Sequence, residues 1–292
     1  MEPLVGSARQ FAIGGAGGVD AGGSKNKTVG LVAPGSTRVA DLLPLQCQGM
    51  PDVTNRVDVV TGETGLDNSP LYDSATYLID QDAIDTVDVG LSAIHARDSL
   101  ALANVSRLLA RGDLALELDA RATLTIAQLN TGGLWHEELG AYANRLWTNG
   151  SWSPIDPHTG VLVLAPTTFY PLLAHAPSDA KVERMILRFL ANSSEFAVNS
   201  ATPYGMPSVS RSSSAAKDNN YWRGRSWGPM NFLVYLGLRE YQHLPAARKA
   251  MTDLARQSEA TFLGQWVEHH RVMENYNSFT GDGCDSGDAV PL

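Results

Sequence analysis

The stretch that decides the fold is GETGLDNSPLYD, residues 62–73. Gly62 and Gly65 permit backbone angles that other residues avoid, and Pro70 blocks a helix through that point, so the stretch predicts a loop. Its three acids lie among small and apolar neighbours: Glu63, Asp67 and Asp73. Burying unpaired acids in a dry core is costly, so we expect these carboxylates to be paired or to take part in chemistry.

Two later stretches combine rings with polar groups. YWRGRSWG, residues 221–228, mixes aromatic rings with two guanidinium groups, and VMENYNSFTGDG, residues 272–283, places Glu274 beside an aromatic ring and two amides. Two separated carboxylates with aromatic rings suit sugar chemistry, because one carboxyl protonates the leaving oxygen, the other activates water, and rings stack on the pyranose. The pattern therefore indicates a carbohydrate site.

These three stretches resemble motifs of family 63-type glycoside hydrolases, and they occur in that family's order. The family includes the processing α-glucosidases and the mannosylglycerate or glucosylglycerate hydrolases. The resemblance covers residues 63–283. It implies an (α/α)6 barrel of the six-hairpin glycosidase superfamily, with the acidic loops at one mouth. It also implies hydrolysis of an α-glucosidic or α-mannosidic bond with inversion.

The resemblance implies roles for two carboxylates. Asp67 becomes the general acid, and an apolar wall or a nearby carboxylate such as Glu63 would keep it protonated by raising its pKa. The alternative is a turn cap formed with Asn68 and Ser69. Glu274 becomes the general base, and its alternative is a surface glutamate that follows a helix.

Further residues of the motifs are candidates for substrate contact. Trp222 would stack on the sugar, with core packing as the alternative, and Arg223 would hold hydroxyls or a substrate carboxylate. Asp73 would bind a hydroxyl or pair with Arg223, and Tyr276 would orient Glu274. Trp135 lies in LWHEELGAY, which resembles a short hairpin that follows a barrel helix in the family, and Tyr204 lies in PYGMPSVS, which resembles a stretch near the substrate. The predicted substrate-binding residues are Glu63, Asn68, Asp73, Trp135, Tyr204, Trp222, Arg223 and Tyr276.

Composition limits the partners. The net charge of −9 argues against a nucleic-acid partner, and the sequence has no apolar run of the ~20 residues that a membrane span needs. We expect no redox cofactor. The adjacent His269 and His270 point in different directions on a helix, so we expect no metal site. The expected partner is a carbohydrate substrate.

The two cysteines and the first residues say little about the compartment. Cys47 and Cys284 are too few for a disulfide framework, and two free buried thiols are preferred over a single bridge. The opening residues 1–4 show no secretory signal, whereas four glycosylation sequons, at Asn26, Asn104, Asn149 and Asn192, leave the secretory route open. The localisation stays unassigned.

Residues 1–60 predict an irregular, glycine-rich segment. Its glycines at 14, 15, 17 and 18 suggest a dinucleotide-binding loop only superficially, because no strand precedes them and KNK at 25–27 stands where the helix should run. Residues 61–292 are predicted to form a second region, a partial (α/α)6 barrel.

Apolar spacing predicts helices over 85–111, 113–130, 226–242 and 246–263, with a short one after Ser178. The first is expected to bury a stripe of Val87, Leu91, Ile94, Ala101, Val105 and Leu108. The helix over 226–242 is expected to bury Trp227, Asn231, Val234, Leu238 and Tyr241, and the short one Val182, Met185, Ile186 and Phe189. Many helices and few strands favour an all-α protein. The helices are fewer than six hairpins require, so the barrel is expected to be incomplete at both ends, with open apolar faces that favour oligomers. The alternative functions are a catalytically inactive sugar-binding remnant and a helical protein-binding scaffold.

Overall fold

A computed structural model describes residues 12–14, 64–80 and 83–284. The helices are α1 (Val89–Leu108), α2 (Gly112–Thr131), α3 (Asp179–Met185, continued by a π-helical turn, Ile186–Leu190), α4 (Gly228–Glu240) and α5 (Pro245–His269). Three 3-10 helices lie in the described residues: Pro70–Tyr72 precedes α1, Pro166–Ala174 lies between α2 and α3, and Ser214–Asp218 lies between α3 and α4. Helices dominate, as the all-α prediction requires.

The strands are short and antiparallel. They are β1 (Ala12–Gly14), β2 (Tyr77–Leu78), β3 (Ala83–Val87), β4 (Trp135–His136), β5 (Ala141–Tyr142), β6 (Asn275–Tyr276) and β7 (Gly283–Cys284). β1, β3 and β2 form one sheet in that order, while β4–β5 and β6–β7 are separate hairpins. β4–β5 is the hairpin expected after the second helix, and β6 begins directly after Glu274.

The centre of the described fold is the 3-10 segment Pro166–Ala174, all of whose residues are buried. It packs against both α1 and α4, and each helix comes close to it through a glycine. A Cβ atom at Gly90 would lie 2.8 Å from Thr167 Cγ2, and one at Gly237 would lie 2.9 Å from Leu172 Cβ. The missing side chains therefore set how closely the two helices can approach the core.

Most predicted helices are confirmed within a few residues. α2 and α4 nearly coincide with 113–130 and 226–242. α5 starts at Pro245 as expected, but it runs six residues past the predicted end at 263. The short helix after Ser178 buries its predicted face of Val182, Met185, Ile186 and Phe189. Periodicity thus located these helices and their buried sides.

The first predicted helix needs two corrections. It starts at Val89 rather than at residue 85, because 83–87 pairs as β3 and the buried Asp88 carboxylate caps the helix by accepting from the Leu91 N–H at 2.8 Å. The predicted core stripe is wrong, since Val105 is 48% and Leu108 87% exposed. The buried face consists mainly of small residues: Gly90, Ser92, Ala93, Ala96, Ser99, Ala103 and Ser106.

Two further expectations concern the chain ends and the membrane. Cys284 is disulfide-bonded, so the expectation of a free thiol is wrong there. Cys47 and Glu63 lie outside the described residues, and only 12–14 of the predicted segment 1–60 are described. Within the described ranges, no helix has both the length and the apolar character that a bilayer span requires.

Candidate active site

Asp67 lies in a tight turn that the following residues hold in place. Gly65 has a φ of +72°, in the left-handed region that favours glycine. The Leu66 N–H donates to Thr64 Oγ1 at 3.0 Å, and the Ser69 N–H donates to the Leu66 carbonyl at 2.8 Å. Ser69 then caps the buried 3-10 helix Pro70–Tyr72. The turn is therefore anchored on both sides of Asp67.

Asn68 joins this turn to the second motif. Its Oδ1 accepts the Trp222 backbone N–H at 2.9 Å, and its Nδ2 donates to the Asn220 carbonyl at 3.4 Å. Asn68 was predicted to bind substrate. In the structure its side-chain amide also has a structural role, because it connects the first motif to the second over 152 to 154 positions of sequence.

Glu274 lies exposed at the start of the β6–β7 hairpin, and the third motif is attached to the second through backbone pairing. Ser226 and Tyr276 exchange two backbone hydrogen bonds, of 2.6 and 2.9 Å. The Tyr276 hydroxyl accepts the Met273 N–H at 3.0 Å. Tyr276 is 1% exposed, so the structure gives it a supporting position beside Glu274 rather than a surface for substrate.

One hydroxyl group connects the two candidate catalytic carboxylates. Tyr221 Oη donates to Glu274 Oε1 at 3.1 Å, and it also hydrogen-bonds the Asp67 carboxyl. Burial raises the pKa of Asp67, the negative charge of Glu274 raises it further, and the bond to Tyr221 acts in the opposite direction. The three motifs therefore place a partly buried acid and an exposed carboxylate at a single site.

The aromatic residues of the second motif pack mainly on one another. The Trp222 and Trp227 rings are stacked with centroids 3.6 Å apart, and Tyr221 meets both edge-on. Trp222 is only 7% exposed, which agrees with the core-packing alternative. Its Nε1 is nevertheless buried without a hydrogen-bond partner among the described residues.

Arg223 is held by two carboxylates. Its Nη1 donates to both oxygens of Asp73, at 2.8 and 2.9 Å, and its Nε donates to Asp218 Oδ2 at 2.7 Å. Of the two alternatives for Asp73, the pairing with Arg223 is therefore the one present. Next to it, Gly224 has a φ of +104°, and a Cβ there would collide with the Ala216 carbonyl oxygen.

The other predicted substrate residues have separate neighbours. Trp135 donates from Nε1 to Glu137 Oε2 at 2.6 Å, and its ring meets Tyr142 and the Lys181 ammonium group. The Tyr204 ring lies directly against Gly281 of the third motif, where a Cβ would collide with it. Tyr204 thus adjoins the Glu274 loop, whereas Trp135 belongs to the β4–β5 hairpin.

Sequence reasoning missed two residues of this site. Tyr221 was noted only as part of a motif, although its hydroxyl contacts both carboxylates. Trp227 was assigned to the buried face of a helix, although it also supports Trp222 and donates from Nε1 to the Tyr221 carbonyl at 3.0 Å. The available signal was position, since both residues flank Trp222 and Arg223 in the same eight-residue stretch.

Comparison with known proteins assigns the chain to a family. Residues 55–288 match the model of the mannosylglycerate hydrolase MGH1-like glycoside hydrolase domain. The chain belongs to this family. It is 27% identical over 203 residues to the mannosylglycerate hydrolase of Thermus thermophilus, an alignment that covers 70% of this chain and 42% of that protein. A similar match, 27% identical over 173 residues, covers 58% of the chain and 36% of the Rubrobacter radiotolerans mannosylglycerate hydrolase.

Solved structures support the predicted barrel. The GH63 mannosylglycerate hydrolase from Thermus thermophilus, in complex with Tris, aligns with a TM-score of 0.53 at 24% identity, over 70% of this chain and 42% of that one. The neutral trehalase from Saccharomyces cerevisiae aligns with a TM-score of 0.52 at 16% identity, over 76% and 39%. The family domain thus has the (α/α)6 barrel fold in part, and it spans less than half the length of these relatives.

Proposed function

We propose that the chain is a glycoside hydrolase that cleaves an α-glucosidic or α-mannosidic bond with inversion, with Asp67 as general acid and Glu274 as general base. The observation that carries the proposal is the Tyr221 hydroxyl, which hydrogen-bonds both carboxyl groups. Two carboxyls on one site are the minimum that glycoside hydrolysis of this kind requires.

The surroundings of Asp67 suit a proton donor. Its burial and the nearby negative charge of Glu274 raise its pKa, so it holds a proton at a higher pH than an ordinary aspartic acid. In the proposed reaction Asp67 donates this proton to the glycosidic oxygen as the bond between that oxygen and the anomeric carbon breaks. The leaving group then departs as a neutral alcohol.

The exposure of Glu274 suits a base that works on water. Its carboxylate removes a proton from a water molecule, and the oxygen of that water forms the new bond to the anomeric carbon on the opposite face of the sugar. Each turnover moves one proton from Asp67 to the leaving group and one from water to Glu274. Tyr221, bonded to both groups, offers a path that returns the proton to Asp67.

Inversion itself rests on the family resemblance. Carboxyl groups ~5–5.5 Å apart are typical of retaining glycosidases and groups ~6.5–9.5 Å apart are typical of inverting ones, and a hydroxyl group that contacts both carboxyls is compatible with either. The configuration of the freshly released sugar is therefore the measurement that decides the stereochemistry.

The substrate class is supported by the relatives. The stacked Trp222 and Trp227 are 7% and 5% exposed, so they support Tyr221 from inside the fold and leave the sugar contacts to other side chains. Arg223 and Arg225 do not support a carboxylate on the leaving group, because Arg223 already pairs with two acids and Arg225 is buried. The relatives' names nevertheless make mannosylglycerate and trehalose the first compounds to test.

The test is hydrolysis of a panel of α-glucosides and α-mannosides, followed by proton NMR of the product before it mutarotates. We expect the wild type to release the β-anomer, and Asp67→Asn and Glu274→Gln each to lose roughly 10²–10⁴-fold in kcat. Asp113→Asn, a change at an exposed acid of α2, is the matched control and keeps full activity.

The remaining outcomes each contradict part of the proposal. Release of the α-anomer would exclude inversion. Sugar binding without turnover by folded protein would favour the inactive sugar-binding remnant, and a concentration-dependent oligomer with no sugar affinity would favour the protein-binding scaffold. The first alternative requires the two carboxylates to have lost their common site, whereas Tyr221 contacts both of them.

A further inference from the structure

Arg225 is a buried cation that the proposed reaction does not use. It is 2% exposed, and its neighbour Ser226 pairs with the segments around Pro207 and Tyr276. Its guanidinium group donates to two neutral oxygens: Nε donates to Asn275 Oδ1, and Nη2 donates to the Asp282 carbonyl at 3.0 Å. Burial lowers the pKa of Arg225 to about 10, although the negative charge of Asp282 acts in the opposite direction, so the fold keeps this cation buried at a cost in free energy.

The partners of Arg225 lie on the two sides of the loop that carries Glu274. Asn275 is the next residue along the chain from Glu274 and begins β6, while Asp282 directly precedes β7. The Asp282 carbonyl also accepts the Asn277 N–H at 2.7 Å, which closes the turn of the hairpin. The guanidinium group of Arg225 therefore connects the start of β6 to the residue that precedes β7.

The residues on either side of Glu274 are both held by hydrogen bonds. On one side, the Tyr276 hydroxyl accepts the Met273 N–H at 3.0 Å. On the other side, the Asn275 side chain accepts from Arg225. The Glu274 side chain itself is exposed and contacts the Tyr221 hydroxyl. The backbone of Glu274 is therefore restrained through Met273 and Asn275, although its carboxylate is exposed.

We propose that Arg225 is a positioning residue that acts through Asn275 to hold the Glu274 carboxylate beside Tyr221 and Asp67. This inference rests on the proposed function, in which Glu274 is the general base. The planar guanidinium is suited to the task, because its N–H groups diverge in fixed directions and can reach Asn275 and Asp282 at once. An ammonium group has no such fork.

The variants that test this role are Arg225→Lys, which keeps the charge, and Arg225→Met, which keeps much of the volume. A displacement of about 1 Å at a catalytic group costs on the order of 10²-fold in rate, so we expect kcat to fall about 10–100-fold with KM within about threefold. Arg256→Met is the control for the loss of an arginine that donates to two oxygen atoms, because the exposed Arg256 binds the backbone carbonyls of Asn199 at 2.8 Å and Thr202 at 3.0 Å on a different loop.

Two readouts separate positioning from general destabilisation. Asn275→Ala removes the link and leaves Arg225 in place, so it should reproduce the kcat loss, and the double variant Arg225→Lys/Asn275→Ala should be no worse than either single change. Guanidinium ions added to Arg225→Ala, below unfolding concentrations, should restore part of kcat. Additive losses, or wild-type kcat in both folded Arg225→Lys and Arg225→Met, would overturn the proposal.

A third readout does not need turnover, so it remains decisive if the proposed function fails. The carboxyl carbon of Asp67 is titrated by NMR in ¹³C-labelled protein. Glu274→Gln should lower the pKa of Asp67, because the charge of Glu274 raises it. Arg225→Lys should lower the pKa of Asp67 by a smaller amount, because the Glu274 carboxylate is then displaced from Asp67. An Asp67 pKa that falls in Glu274→Gln and stays unchanged in Arg225→Lys overturns the positioning role alone.

Discussion

Two turns of the molecule each bury a carboxylate at least in part, one at Asp67 and the other at Asp156. They differ in the number of hydrogen-bond donors that they provide to it. Asp156, 2% exposed, accepts from the Ser213 hydroxyl at 2.8 Å, from the Ser214 N–H and hydroxyl, and from the backbone N–H groups of His158 and Thr159. Asp67 is less buried and shares the Tyr221 hydroxyl with a second carboxylate.

The different partners shift the pKa values of the two acids in opposite directions. Burial alone would raise the pKa of Asp156, but hydrogen bonds from Ser213, His158 and Ser214 outweigh it and hold the pKa well below its usual value. For Asp67, burial and a like charge outweigh the hydrogen bonds from Tyr221 and from its own backbone N–H, so its pKa is raised. A full set of donors thus marks an acid that supports structure, and a weaker set marks one that can hold and release a proton.

The strongest way to test this comparison is Asp156→Ala. It leaves the donors of Ser213 and Ser214 without their acceptor, so we expect the free energy of unfolding to fall by about 3 kcal/mol. Urea denaturation followed by circular dichroism measures the loss. Asp113→Ala, at an exposed acid, is the control and should stay within about 0.5 kcal/mol of wild type. An unchanged free energy of unfolding in Asp156→Ala would contradict the structural role given to Asp156.

A smaller effect is expected from Tyr221→Phe, which removes a side-chain hydrogen bond to Asp67. The bond from Tyr221 lowers the pKa of Asp67, so its loss should raise that pKa and move the alkaline limb of kcat/KM to higher pH. We also expect kcat to fall about tenfold, a factor typical of one lost hydrogen bond at a reacting group. An unchanged alkaline limb in the pH–rate profile would contradict the assignment of Asp67.

The smallest effect is the pH dependence of the Asp156 contribution. Because the folded-state pKa is depressed, the stabilisation is complete well above the unfolded-state value of 3.8 and is lost as the pH falls toward the folded one. The stability difference between wild type and Asp156→Ala should stay constant from about pH 7 to about pH 5 and shrink by about 1 kcal/mol at about pH 3. A difference that stays constant or grows between about pH 5 and about pH 3 would show that the folded-state pKa is not depressed.

The sequence indicated which two carboxylates would meet, because the residue types in their motifs are those that sugar hydrolysis requires. Asp67 and Glu274 were selected by motif, and they share the Tyr221 hydroxyl. Roles decided by distant partners were harder to predict. Arg223 and Asp73 are 150 positions apart, so nothing local indicated which of the alternatives for Asp73 the fold would choose. Asp156 carried no signal either, because its serine donors are 57 and 58 positions away.

The helices give the complementary lesson. In α4 the apolar period identified the buried face, including Val234 and Leu238. In α1 the same method selected the outward face, because α1 packs closely on α2 and on Pro166–Ala174 through small side chains. Residues such as Leu108 are too large for that contact and stay exposed. Hydrophobicity predicts burial only where the neighbouring elements leave room for a large side chain.

The hydrogen bonds of Asn68 have a consequence for how the protein acquires its site. They join positions 152 and 154 residues apart, while Tyr221 reaches Glu274 across 53 residues. Closing such long loops is entropically expensive, and no local element compensates for it before the core has formed. Helices can therefore appear early in refolding while the carboxylates are still far apart. The site is consequently a product of the complete fold, and its chemistry reports on the last long-range contacts to form.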